Sequence, residues 1–219
     1  MGMAKSKNKL ALFVTVYDRP QNLAKTLDCL NKQTCHDFDL FIVNNGTFDV
    51  ESLVDRDCTI IDMGNKYRHF GRYFAAKEHS VGYEIVLFLD DDIMVDPHYI
   101  EEAYKQFDPG CVKSFWAFRL NTDYWDRKQL TGDMEGHYCG GGGLLAPAEL
   151  FTVPELYECP EEYWIMDDIW LSHVILAYTN YRIKNFKVLF RFLDDSKATY
   201  KKIRKEKSDM SQKYLIPYL

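Results

Sequence analysis

Three carboxylates stand in a row at Asp90, Asp91 and Asp92, directly after the apolar run Ile85–Leu89. Adjacent carboxylates repel one another. A hard divalent cation relieves that repulsion and can bridge to the phosphate oxygens of a ligand. The same residues also read as an acidic turn, because Asp96-Pro97 is a good helix start. A second acidic pair, Asp167-Asp168, is followed by Ile169, Leu171, Val174, Ile175 and Tyr178 at helical spacing. That spacing puts the pair in a first helical turn, where the macrodipole favours carboxylates. Between the two acidic groups lie Gly140-Gly141-Gly142-Gly143. Four glycines let a backbone approach a ligand closely or turn with positive φ, and they also serve as a flexible connector.

The surrounding elements must hold these groups in place. Ile85–Leu89 is short, unbroken and rich in branched residues, as in a strand buried on both faces of a parallel sheet. Crevices at the carboxyl ends of such strands are where α/β folds place ligands. Leu10–Val16, Phe38–Val43 and Cys58–Met63 read as further strands. Gln21–Gln33, with apolar residues at 23, 24, 27 and 30, reads as a helix, as does Lys66–Ser80. Strand–helix–strand alternation predicts a parallel α/β sheet. Beyond Pro97, His98–Phe107 reads as a helix and Val112–Leu120 as one strand. The stretch Asn121–His137 is polar and irregular, Glu161–Tyr178 is helical, and Tyr181–Leu193 is a strand pair. A basic helix over Lys197–Tyr214 closes the chain.

Bulk properties narrow the class. A chain of 219 residues suggests a single domain. Hydrophobic residues at 47% and charged residues at 27% are ordinary for a globular protein. A net charge of −6 argues against a surface built as a whole for polyanions. No two of the six cysteines are spaced as in a zinc ribbon. Leu10–Tyr17 is too short for a signal or spanning helix, so the expected location is cytoplasmic with free thiols.

Several stretches resemble, in order, the inverting glycosyltransferases with a GT-A fold, most closely those of the family 2 type. Leu12–Pro20 is similar to the opening strand and its Tyr-Asn-Arg-Pro turn, and Phe41–Thr47 to the following Asp-Asn-Gly-Ser turn. Val86–Asp92 resembles the metal-binding segment, with a matching helix entry at Pro97–Glu101. Gly141–Leu145 resembles the acceptor-side glycine loop, and Met166–Leu171 the segment carrying the catalytic base. The resemblance spans roughly residues 10–175. It implies a mixed, mainly parallel sheet flanked by helices in one GT-A (Rossmann-like) α/β domain. Residues 10–96 would bind the nucleotide-sugar and residues 97–193 would form the acceptor and catalytic half. A flexible basic segment at 1–9 and a basic C-terminal helix at 194–219 would flank them.

The resemblance further implies roles. Asp168 would be the base, with Asp167 beside it in place of the usual Glu. Asp92 would be the direct ligand of a Mn2+ or Mg2+ ion, with Asp90 on the metal or the ribose. Thr15, Tyr17, Arg19, Asn44, Gly46, Arg72 and Asp91 would complete the donor site. Gly141, Gly142, Gly143 and Trp170 would face the acceptor. Asn44 stands where the family usually has an Asp that accepts the uracil N3 hydrogen; its amide can also donate to cytosine. Phe74 replaces an Asn expected after Gly71-Arg72. The histidine that many relatives use as a third metal ligand has no counterpart after His173; Asp194 or Asp195 could substitute, or could cap the basic helix.

The implied activity is metal-dependent, inverting transfer from a nucleoside diphosphate sugar, UDP-linked in the first instance, to a hydroxyl of a glycan or glycoconjugate. The basic C-terminal helix could touch a membrane, an anionic acceptor or nucleic acid, or simply dock with a solvated lysine face. Transfer to hydroxymethylated bases of phage-type DNA is a variant that only this helix supports. Nucleotidyl transfer would need a glycine- and lysine-rich phosphate loop, which Tyr17-Asp18-Arg19-Pro20 is not. A non-catalytic nucleotide-sugar binding module would keep the metal carboxylates and tolerate loss of Asp168.

Overall fold

Alternation along the first strand organises the whole molecule. In β1 (Leu10–Val16), Ala11 and Phe13 enter one core, while Leu10, Leu12, Val14 and Val16 enter another on the opposite face. Pro20 then opens α1 (Pro20–Asn31), where its missing N–H costs nothing. Leu23, Leu27 and Leu30 give α1 one apolar stripe against the second core. The chain continues through β2 (Asp39–Asn44), β3 (Thr59–Asp62), α2 (Gly71–His79), β4 (Ile85–Asp90), β5 (Ile93–Val95) and α3 (Tyr99–Gln106). Then follow β6 (Cys111–Ser114), β7 (Ala117–Leu120), β8 (Arg127–Gln129), β9 (Tyr138–Cys139) and β10 (Leu144–Pro147). The last elements are α4 (Asp167–Tyr178), β11 (Arg182–Asn185), β12 (Phe190–Phe192) and α5 (Arg204–Tyr214). This computed structural model describes residues 9–193 and 202–219. Asp194, Asp195 and Lys197 lie outside the described residues.

The main sheet runs β11-β6-β10-β4-β1-β2-β3. All its pairings are parallel except those of β10, which runs against β4 and β6. Helices cover both faces, so the architecture is a mixed, mainly parallel α/β sheet. Two small antiparallel sheets, β8-β7-β9 and β12-β5, are separate from it. No helix among the described residues is long and apolar enough to cross a membrane. All six cysteines are free.

The structure departs from the sequence reading at the loops. Val112–Leu120 is two strands, because the chain breaks at Phe115-Trp116 and β7 leaves the main sheet for β8 and β9. The irregular stretch Asn121–His137 contains β8. The expected strand pair over Tyr181–Leu193 splits between two sheets, β11 on β6 and β12 on β5. Helix α5 docks on the domain through Met210, and Leu215 just beyond it is also buried. Its Lys207 turns inward and is only 5% exposed.

Candidate active site

The same alternation aims the first acidic group. Thr15 pairs with Asp90 at the carboxyl ends of β1 and β4, on the face that carries Phe13 and Phe88. Asp90 therefore points toward α2 and accepts a hydrogen bond from Arg72 Nη1 to Oδ1 at 2.9 Å. Asp91 turns toward Arg19 and is buried. Its carboxylate lies 2.5 Å from Arg19 Nη2 and accepts from the Tyr17 N–H at 3.2 Å. Asp92 returns to the cavity side and takes Arg19 Nη1 at 3.1 Å. Burial pushes the carboxyls of Asp91 and Asp92 up from the ordinary range; the charge of Asp90 adds to this and Arg19 opposes it.

The second acidic group comes from the start of α4. Asp167 Oδ2 lies 3.3 Å from Arg72 Nε, so one buried guanidinium ties Asp90 to Asp167. Burial pushes Asp167 up and Arg72 opposes it. Asp168 Oδ2 accepts from Lys207 Nζ at 3.1 Å and from the Tyr138 hydroxyl. Asp168 Oδ1 accepts from the Ile169 N–H at 2.9 Å. Burial alone would raise its pKa, but Lys207 and these hydrogen bonds more than offset that and hold it below the usual carboxylate range. A carboxylate has about four lone-pair positions, so one remains on Oδ1 for a ligand hydroxyl.

Both acidic groups line one cavity of about 640 Å³. Thr15, Tyr17, Arg19, Arg72, Asp90, Asp91, Asp92, Gly141, Gly142, Asp167 and Asp168 all reach it. The glycines are there for closeness. A Cβ on Gly142 would collide with Asp90 Oδ2, and one on Gly141 would come within 3.0 Å of Arg72 Nη1.

Four expected residues fall elsewhere. Asn44 is buried and fully engaged: Nδ2 donates to Asp62 at 2.8 Å and to the Phe48 carbonyl, and Oδ1 accepts from the Gly46 N–H. It shapes the turn and does not line the cavity. Gly46 packs behind it, where a Cβ would meet Asp18 Oδ1 at 2.5 Å. Gly143 turns with φ +72 against the Phe115 ring, so it faces the core. Trp170 is buried, donates its indole N–H to the Leu156 carbonyl at 2.9 Å and packs on Tyr214. His137 accepts from the Leu120 N–H and does not line the cavity.

Other residues line the site without having been singled out. Asn45 reaches the cavity with Nδ2 committed to the Arg68 carbonyl, while Oδ1 is buried with no hydrogen-bond partner among the described residues. Its neighbour Asn44 is the same residue type, and only the strand's alternation separates them. Tyr138, Arg127 and Lys207 also reach the cavity. Lys207 sits in a run of similar lysines, and nothing in that run marks the one that turns inward.

A metal fits this donor set. Among the described residues no three His, Cys, Asp or Glu side chains are grouped to hold an ion unaided. Asp90 and Asp92 both line the cavity, two residues apart, and the charge of Asp90 adds to burial in raising the proton affinity of Asp92. Mg2+ and Mn2+ are commonly held by one or two carboxylates with the remaining positions taken by water and substrate phosphate. The two aspartates supply that share.

Comparisons with known proteins agree. In fold, the chain is similar to the S. aureus TarS fragment 1–349 in complex with UDP, with TM-score 0.60, 17% identity, and 90% of this chain covering 63% of that one. It is also similar to the mannosyltransferase PcManGT from Pyrobaculum calidifontis in complex with GDP-Man and Mn2+, with TM-score 0.65, 16% identity, and coverage of 91% and 61%. The chain thus spans less than two thirds of the length of either. No curated protein sequence matched. The model of Glycosyl transferase family 2 matches residues 11–138, more than half of the chain, from β1 through the three aspartates to Tyr138 beside Asp168. By that match the chain belongs to glycosyl transferase family 2.

Proposed function

We propose that this protein transfers a sugar, with inversion, from a nucleoside diphosphate donor to an acceptor hydroxyl, using Mn2+ or Mg2+. One observation carries the reading: a single cavity joins Asp90 and Asp92 at one end to Asp168 at the other. Glycosyl transfer needs charge stabilisation on the leaving diphosphate, a base for the acceptor, and alignment between them. A divalent ion held by Asp90 and Asp92 supplies the first. Arg19 and Arg72 fix the orientation of those carboxylates. Asp168 accepts the proton from the acceptor hydroxyl at Oδ1, while Lys207 and Tyr138 hold its other oxygen. Gly141 and Gly142 let the glycine loop pack directly on Arg72 and Asp90.

For the nucleobase, Asn45 Oδ1 is a buried acceptor with no protein partner among the described residues. An acceptor suits the N3–H of uracil, so a UDP-sugar is the proposed donor. A glycan or glycoconjugate is the proposed acceptor. The basic helix gives DNA transfer less support than the sequence suggested, since Lys207 serves the cavity and Lys205 pairs with Asp209.

Asp168→Asn tests the assignment. The amide keeps the shape but cannot take a proton, so sugar transfer and slow donor hydrolysis should fall by at least about 100-fold while UDP affinity is kept. Unchanged turnover would contradict the role of Asp168.

A further inference from the structure

Arg127 opens β8 and enters the cavity through a cage of rings. Its guanidinium carbon lies 4.1 Å from the Tyr124 ring centroid, 4.3 Å from Phe118, 5.4 Å from Tyr138 and 5.6 Å from Trp125. Rings attract a cation but give its N–H groups no lone pair of ordinary strength. Nη1 of Arg127 is buried and has no hydrogen-bond partner among the described residues. An unmet charged donor is costly in a folded protein.

The nearby carboxylates are already engaged. Asp168 is held by Tyr138, Lys207 and the Ile169 N–H. Asp123 accepts from Ser208 and Ser211, and Asp126 from Asn121 and Thr122. At the donor end the pattern differs, because Arg19 and Arg72 each have aspartate partners.

We propose that Arg127 forms an acceptor subsite for an anionic oxygen group, a phosphate or a carboxylate, on the molecule whose hydroxyl reaches Asp168. The subsite rests on Asp168 being the base. Tyr138 links the two: its hydroxyl donates to Asp168 and its ring borders Arg127. A guanidinium matches oxyanion geometry. Lys207, whose Nζ also donates to the Tyr124 hydroxyl at 3.2 Å, offsets repulsion between the incoming anion and Asp168.

The test uses the full chain saturated with UDP and Mn2+, so that the diphosphate site is filled. Glycerol 3-phosphate, glycerate and glycerol are titrated calorimetrically into wild type, Arg127→Gln and Arg127→Lys. Binding of either anion to wild type, weakened at least about tenfold in Arg127→Gln and partly kept in Arg127→Lys, supports the subsite. The tighter of the two anions identifies the group. Unchanged UDP affinity in the variants shows that they fold. Equal anion binding by wild type and Arg127→Gln, glycerol binding as tightly as the anions, or UDP binding with no anion binding would each overturn it. Absence of UDP binding would overturn the donor reading instead. The same titrations without nucleotide would then decide the subsite.

Discussion

Lys207 Nζ of α5 lies 3.1 Å from Asp168 Oδ2 at the start of α4, so α5 supplies the counter-charge for the proposed base. Lys207 is buried at 6% exposure and Asp168 is mostly covered at 15%. Lys207 stays charged despite burial because Asp168 raises its pKa, and Asp168 stays ionised because of Lys207. The signs follow. Asp168 has a lowered folded pKa, so its stabilisation is present above the unfolded value of about 3.9 and is lost as pH falls through the folded value. Lys207 has a raised folded pKa, so its stabilisation is complete below about 10.4 and is lost as pH rises through the folded value.

Lys207→Met should therefore move the acid limb of the kcat/KM profile to higher pH, since the carboxylate loses its cation. It should also lower stability at neutral pH by about 3–5 kcal/mol, because a buried charge is left unpaired. Lys207→Arg should restore the acid limb toward wild type. An acid limb that does not move in Lys207→Met would separate Lys207 from the base.

Arg72 bridges Asp90 and Asp167 from a nearly closed position. Arg72→Ala should cost about 3–5 kcal/mol, measured by urea unfolding, because two carboxylates lose one shared cation. Adding Asp167→Asn should recover part of the loss, giving a non-additive cycle. Strict additivity would show that the bridge carries no coupling.

Asn44 and Asn45 should part company. Asn44→Ala leaves the Gly46 N–H and Asp62 without their partner, so it should lower stability by about 1–3 kcal/mol with nucleotide preference unchanged. Asn45→Ala should weaken UDP binding by roughly tenfold, or about 1.4 kcal/mol, and reduce discrimination between UDP and CDP. The reverse pattern would return nucleobase contact to Asn44.

Gly142→Ala should fold, yet displace Asp90, whose Oδ2 occupies the space of the new methyl. Mn2+-dependent UDP binding should drop about tenfold or more. Gly143→Ala should instead reduce stability, since φ is +72 and the Phe115 ring fills the space. Thermal unfolding set beside calorimetry separates the two effects.

How legible the site was depends on how each residue is held. The central strands were readable, because short apolar runs such as Leu10–Val16 and Ile85–Leu89 are buried on both faces and carry their own signal. The three aspartates follow from such a strand, and their place at its carboxyl end is fixed by topology. Asn44 and Asn45 are not separable in the sequence, because a one-residue difference reverses the face and the contacts that hold Asn44, to Asp62, Phe48 and Gly46, are tertiary or turn contacts. Trp170 looked available beside Asp168, but a helix buried nearly all round turns it into the core. Lys207 and Arg127 were hidden for a different reason. Both reach the cavity through tertiary contacts, on α5 and in a polar loop, where no local periodicity points inward.

In the proposed reaction, Asp90 and Asp92 hold a divalent ion for a nucleoside diphosphate in this cavity. Calorimetric titration of UDP, with and without Mn2+, into wild type and Asp92→Ala tests it most directly. UDP binding should require Mn2+ in wild type and be lost in the variant. Binding that is indifferent to Mn2+, or equally strong in Asp92→Ala, would contradict it.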